Sequence, residues 1–443
     1  MKTNMLTGNV WKSIFFFSIP IILESLFQQL YNTVDSILVG LFISKQALSA
    51  VGSSTGVIIS LIVGLFAGLA TGVTVNVSQL FGQNDEVHIK DTVNCGITIA
   101  LINGVTITVI GIATAEYVLG VMHTPSDILA EALKYLRIYL LGLTPTLIYN
   151  TCAGILRAIG DSKRPLYFLV LSSVLNIALD IIFIMIFRFG VVGVAVSSVI
   201  SQILGCVLIC MYLNKKYNIR ILLKGYILKR ILGIGLPAGL QSVMFSFTNI
   251  ISQVYINKFG TDYVTAWTVY TKIGVVFFTI ITAYGVSVTT FVGQNYGADR
   301  KERLWRGVKS GLCISYLSTI VISTIYLLFK RQLLMLFTRD ENVLKLGAEV
   351  VKCIVPLYFT YVAMELLIGA LKGLGKSFVP MCMTAFGVCF LRVVWLVFIQ
   401  PKYNDFRMIV WSLPIGWIIT SILIIAYYLF IKTKIRSGVK NEF

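Results

Sequence analysis

Four carboxylates stand where the chain is otherwise apolar. Of 19 acidic residues, only Glu24, Asp35, Asp180 and Glu365 lie well inside stretches long enough to cross a bilayer. An ionised carboxylate in hydrocarbon is costly unless it is paired, hydrated or protonated, so each needs a partner or a task. Glu24, Gln28, Tyr31, Asn32 and Asp35 follow helical spacing and form one polar stripe that faces protein or water. Asn176 and Asp180 are four apart on one face, with Ser172 and Ser173 a turn earlier and Ser197, Ser198 and Ser201 on the next helix. A carboxamide, a carboxylate and hydroxyls can hold a proton on Asp180 or supply the oxygen ligands a hard cation prefers. Gln28, Asn32 and Asn249 suit interhelical hydrogen bonding equally well, but a neutral residue would pack in place of Asp35 without the desolvation cost. Glu365 and Arg392 are both intramembrane; the expectation is that they neutralise each other or flank a cavity where Glu365 attracts cations.

The elements that position these groups are membrane helices. Hydrophobic residues make up 57% of the 443 and charged residues only 13%, too few polar side chains to coat a soluble surface. Twelve apolar segments are expected as transmembrane helices near 14–43, 48–81, 93–115, 133–156, 166–187, 190–213, 229–257, 264–292, 307–329, 347–371, 378–399 and 408–431. The first starts almost at once and lacks a small-residue cleavage site, so it is expected to remain as a membrane helix.

The chain repeats itself. Phe81-Gly82-Gln83-Asn84 returns as Val292-Gly293-Gln294-Asn295, and the segment from Gly154 to Gly160 returns from Gly369 to Gly375, with Pro165 falling on Pro380. The helix after Pro20 returns after Pro237: Gln241, Phe245, Thr248, Asn249 and Ser252 stand where Glu24, Gln28, Tyr31, Asn32 and Asp35 stood, keeping the stripe without its acids. The expected architecture is an all-α membrane protein of two pseudo-symmetric six-helix lobes around a central cavity: 1–213, a cytoplasmic linker 214–228, and 229–443. Pro20, Pro237, Pro145, Pro356 and Pro414 mark places where a helix can bend.

The net charge of +18 reads as orientation rather than nucleic-acid binding, because most Lys and Arg fall in the tails and alternate loops, including Lys215, Lys216, Arg220, Lys224, Lys229 and Arg230. Both termini are expected in the cytoplasm, with Lys330 and Arg331 against that trend. Lys272, near a helix end, can snorkel. All eight cysteines lie in apolar segments, and only the spacing of Cys206 and Cys210, which share a helix face, resembles a ligand pair, more in keeping with packing than with a metal. Aromatic and methionine side chains such as Phe16, Phe27, Tyr149, Met244, Phe247, Tyr270, Tyr284, Tyr358 and Tyr361 suit planar cationic substrates or ordinary helix interfaces.

The whole chain resembles the multidrug and toxic compound extrusion (MATE) transporters, in its DinF-like bacterial branch. The resemblance rests on the Pro20 helix carrying Asn32-Thr33-Val34-Asp35 and ending Val39-Gly40, on Gly82-Gln83-Asn84, on Gly154 to Gly160, and on Leu175-Asn176-Ile177-Ala178-Leu179-Asp180 followed by Gly190-Val191-Val192-Gly193-Val194-Ala195. It implies two six-helix lobes, a V-shaped cavity, and export of organic cations driven by H+ or Na+. It also implies an ion site at Asp35, Asn176, Asp180 and Ser198, where Na+ can bind at the first three. Ser246 and Tyr361 occupy places where sodium-coupled relatives of another branch carry carboxylates, so the resemblance carries no second-half sodium site.

The expected function is a multidrug antiporter in the bacterial cell membrane, a monomer without cofactor or nucleic-acid partner. Its substrate cavity is expected at Glu24, Gln28, Tyr31, Asn32, Gln241, Phe245, Asn249, Tyr361, Glu365 and Arg392. A lipid or lipid-linked oligosaccharide flippase would need a basic cavity, which the acids of the first half disfavour. A membrane enzyme would need a catalytic cluster, and the two histidines, His88 and His123, sit in no such motif. A receptor or scaffold gives no reason for duplicated helices with buried acids.

Overall fold

The computed structural model describes residues 5–52, 54–122 and 124–437; His123 lies outside them. Those residues are predominantly helical, with no strand among them. Eleven helices are long and apolar enough to cross a membrane: Val10–Phe42, Gln46–Gly82, Glu86–Val121, Lys163–Ile186, Gly190–Tyr217, Gly225–Asn257, Thr261–Gly297, Lys301–Leu328, Glu341–Gly373, Phe378–Tyr403 and Phe406–Arg436. The fourth expected span, 133–156, is instead two helices, Ser126–Leu141 and Leu143–Ala158, bent by 44°. The cause is local: Pro145 has no N–H to donate and its ring crowds the carbonyl one turn back, so the helix breaks at Gly142. The span Glu341–Gly373 meets the same obstacle at Pro356 with a short 3-10 turn, Val355–Leu357.

Carboxylates start several spans. Asp85 accepts from the His88 backbone N–H, Asp340 from Asn342 and Val343, and Asp405 from Arg407, each satisfying donors a helix start leaves open.

The repeat is structural, but in one place its register differs from the sequence match. The helix ending at Gly82 corresponds to the one ending at Gly297, each followed two residues later by a residue of positive φ, Asn84 and Asp299. The Asp85 amide donates to Leu80 O and, 215 residues on, the Arg300 amide donates to Asn295 O. The same offset relates the left-handed glycines Gly160 and Gly375, whose turns need φ of 87° and 80°. Gly293-Gln294-Asn295 therefore lies inside its helix, one turn before the place matching Gly82-Gln83-Asn84. A slip of four residues keeps nearly the same helix face, which is why the tripeptide match misleads.

The chain divides into two compact units, one of residues 19–239 and the other of residues 5–18 with 240–437. Each long opening helix changes unit beside its proline, Pro20 or Pro237, so the boundaries differ from a cut at the linker. In the first unit the segment up to Gly239 is held by backbone contact: a Cβ on Gly72 would stand 2.4 Å from Ile231 O, and one on Gly68 2.1 Å from the Gly239 nitrogen. Small residues that let helices touch are a membrane packing device. The core of this unit includes Val73, Val77, Val93, Ile155, Leu156, Ile209 and Leu213. In the second unit Phe277 stacks on Tyr358 with ring centroids 3.8 Å apart. That unit also holds the chain's opening segment: Arg303 donates to the carbonyls of Met5, Thr7 and Gly8, Arg300 to Leu6 O, and Asn295 to Met5 O.

Candidate ion and substrate sites

The buried acids resolve into different environments. Asp180 is 0% exposed and Asn176 2%, both on the span Lys163–Ile186, which loosens into a π-helical turn at Ile182–Ile186 just beyond Asp180. The half-buried Asp35 carboxyl of the first helix faces the Asp180 carboxyl. Ser197 donates a hydrogen bond to Asp180 Oδ1. Among the described residues Asp35 Oδ1, Asp180 Oδ2, Ser173 Oγ and both amide atoms of Asn176 are buried without a hydrogen-bond partner. Two acids facing each other, with further buried unpartnered polar atoms on the Asp180 helix, are groups of the kind that can hold a proton or a hard cation.

The structure thus brings Asp35 to Asp180, with Asn176 buried one turn back on the Asp180 helix. The serine that touches Asp180 is Ser197, not Ser198: Ser198 is buried one residue on, and Ser201 bonds back to the Ser197 and Ser198 carbonyls. Sequence reasoning also missed Tyr135, Tyr139 and Gln202. Both tyrosines lie within electrostatic reach of Asp35, stacked on each other at 5.7 Å, and Tyr139 bonds Gln202. The four-residue spacing of Tyr135 and Tyr139 was the available signal.

Glu24 has a partner that the stripe did not reveal. Arg157 Nη2 donates to its Oε1 at 2.7 Å, with the Glu24 side chain 9% exposed, so this acid is neutralised within the first unit. Gln28 and Asn32 are exposed and Tyr31 half-buried, with Tyr31 bonded to Gln28.

In the second unit the stripe of Gly225–Asn257 is tied differently. Gln241 donates to Thr384 Oγ1 at 3.0 Å, while Thr248 and Ser252 bond back to their own helix. Phe245 is half-buried. Arg392 Nη1 donates to Asn249 Oδ1 at 3.1 Å. Glu365 is not its counter-ion: Glu365 Oε2 accepts from the Tyr361 hydroxyl at 3.5 Å and lies within electrostatic reach of Lys372, two turns along its own helix. Among the described residues Glu365 and Arg392 form no ion pair; Glu365 instead has the Tyr361 hydroxyl and the Lys372 charge as its neighbours. Among the cysteines, Cys152 and Cys210 place their sulfurs 3.9 Å apart, and no cluster of the described residues has the ligands of a metal site.

Duplicated apolar helices with acids buried between spans define a multi-pass membrane transporter. The family model described as MatE matches residues 20–182 and 237–398, one copy in each half, and the chain belongs to that family of multidrug efflux transporters. It is similar to the probable multidrug resistance protein YoeA of Bacillus subtilis, 25% identical over 96% of this chain and 95% of that protein. It is also similar to the probable multidrug resistance protein NorM of Thermotoga maritima, 26% identical over 87% and 84%. A multidrug resistance MATE transporter solved in an outward-facing conformation has the same fold, with a TM-score of 0.90 at 24% identity, covering 98% of this chain and 99% of that one. A MATE structure described as a straight conformation matches at 0.91, again at 24% identity and over the same shares.

Proposed function

We propose that this protein is a secondary antiporter of the bacterial cell membrane that expels organic cations in exchange for H+ or Na+, acting as a monomer with both termini in the cytoplasm. The observation that carries the reading is the half-buried Asp35 facing the buried Asp180, with Ser197 bonded to Asp180 and Asn176 buried on the same helix of the first unit. Two ionised carboxylates held together repel each other, and a proton or Na+ arriving between them removes the repulsion. Asp35 then draws toward Asp180, and the stripe residues Tyr31 and Asn32 move with their helix. An ion that binds one arrangement better than the other shifts the population between them, which is all that coupling requires. The names of the relatives and the absence of a catalytic motif around His88, whose ring bonds Asp85 at 2.6 Å, favour transport over an enzymatic role.

The test is transport by purified protein in liposomes under an imposed proton gradient and, separately, an imposed sodium gradient. Wild type should export an organic cation under at least one of them, and Asp35→Asn and Asp180→Asn should lose the response. Gradient-driven transport by both variants at the wild-type rate would remove the ion assignment.

A further inference from the structure

The second unit has a charged site of opposite sign on the spans that match the ion site. In the first unit the stripe helix and the span Lys163–Ile186 bring Asp35 to Asp180. In the second, the stripe helix Gly225–Asn257 and the span Phe378–Tyr403 bring Asn249 to Arg392. Arg392 is 5% exposed, and its Nε is buried with no hydrogen-bond partner among the described residues. No carboxylate of the described residues pairs with it, and the titratable side chains within electrostatic reach are Cys389 and Tyr270, the latter bonded to Tyr358. Both are neutral near pH 7 in their ordinary forms, while a guanidinium remains charged. A lone buried cation at membrane depth is unfavourable unless an anion completes it.

The geometry shows where that anion fits. Asn249 holds Nη1 and so orients the guanidinium plane, while Nε, on the Nε–Nη2 edge, is buried without a protein acceptor among the described residues. That edge matches the two oxygens of a carboxylate. Asn249 itself is exposed, which gives the pair an open side. The backbone here is irregular as well: π-helical segments at Ala385–Phe390 and Trp395–Ile399 flank the single α turn Leu391–Val394 that carries Arg392. Such segments are rare in ordinary helices and gather at functional sites.

We propose that Arg392 and Asn249 form a carboxylate-recognition site, and that the compounds this protein exports include amphoteric ones carrying an organic acid group beside a cationic centre. The proposal rests on the efflux reading above and names a substrate class for it.

Binding to purified protein in neutral detergent tests it, using a fluorescent xanthene dye with a free benzoate and the methyl ester of the same dye. Arg392→Gln should weaken binding of the benzoate dye by on the order of tenfold while leaving the ester within about twofold, the scale of a lost charge-assisted bond. Asn249→Asp keeps Arg392 but gives it an internal carboxylate, and should show the same selective loss without stranding a charge, so it decides the matter if Arg392→Gln does not fold. Equal loss of both dyes in a variant that melts normally, or no loss of either, overturns the site. Gradient-driven uptake of the ester in liposomes is read separately: if it fails while selective binding persists, the antiport reading falls and the carboxylate site stands.

Discussion

On matching helices the first half sets Asp35 against Asp180, whereas the second sets Asn249 against Arg392. The scaffold around them is repeated closely, down to left-handed turns at Gly160 and Gly375 and π-helical segments in both acid- and arginine-bearing spans. What differs is how each half treats buried charge. The first neutralises Glu24 with Arg157 and leaves two acids with unpartnered oxygens; the second places Glu365 near Lys372 and, among the described residues, leaves Arg392 without a carboxylate. A duplicated fold lets backbone geometry stay fixed while the sign of a site changes, because helix packing depends on volume and small-residue contacts more than on one polar tip.

The sharpest way to break this comparison is to neutralise both halves at the matched stripe position. Asp35→Asn should lower ion-driven transport at least about tenfold, as expected for removing an intramembrane proton or cation group, while Ser252→Ala, whose hydroxyl only bonds Thr248 O, should leave it within about twofold. Equal effects in the liposome assay would mean that the halves share the coupling.

The next effect is on stability. Glu24→Gln strands the Arg157 guanidinium and should cost about 3–5 kcal/mol in reversible unfolding, much of it recovered by adding Arg157→Met. The matched Gln241→Leu should cost about 1 kcal/mol, because Thr384 keeps its own bond to Pro380 O. If both variants unfold alike, the Glu24 pair does not have the structural role its geometry implies.

The smallest effect lies outside the membrane, at the helix starts. The His88 backbone N–H holds the Asp85 carboxyl below the usual carboxylate range, so this cap stabilises the fold above the ordinary carboxylate pKa and is lost as pH falls through the lowered value. Asp85→Ala should lower the melting temperature slightly at neutral pH, and the difference should close as the pH is taken below the ordinary carboxylate range. Arg300, at the matching place, makes no side-chain cap and reaches Leu6 O instead, so Arg300→Ala should show no such acid-dependent convergence.

Much of this was legible from sequence. Apolar length gave the spans, and four- and seven-residue spacings gave the polar stripes, since both are properties of a single helix. The bend at Gly142 was less visible because Pro145 sits in an otherwise continuous apolar run, and hydropathy does not register a missing N–H. Partners across helices were the hardest to read. Arg157 belongs to a turn motif and gave no sign that it reaches Glu24, 133 residues away. Ser197 and Ser198 are adjacent on one helix, and only the rotation of that helix against Asp180 decides between them.

The docking of residues 5–8 onto Asn295, Arg300 and Arg303 constrains how the protein is made. These bonds join positions 290 to 298 residues apart. As the chain leaves the ribosome, residues 5–8 emerge long before the donors at 295, 300 and 303 exist, so this docking follows synthesis of the whole first half and the opening spans of the second. Splitting the gene at the linker would therefore leave the second fragment without the carbonyls of residues 5–8, and co-expression of the first fragment should raise its melting temperature.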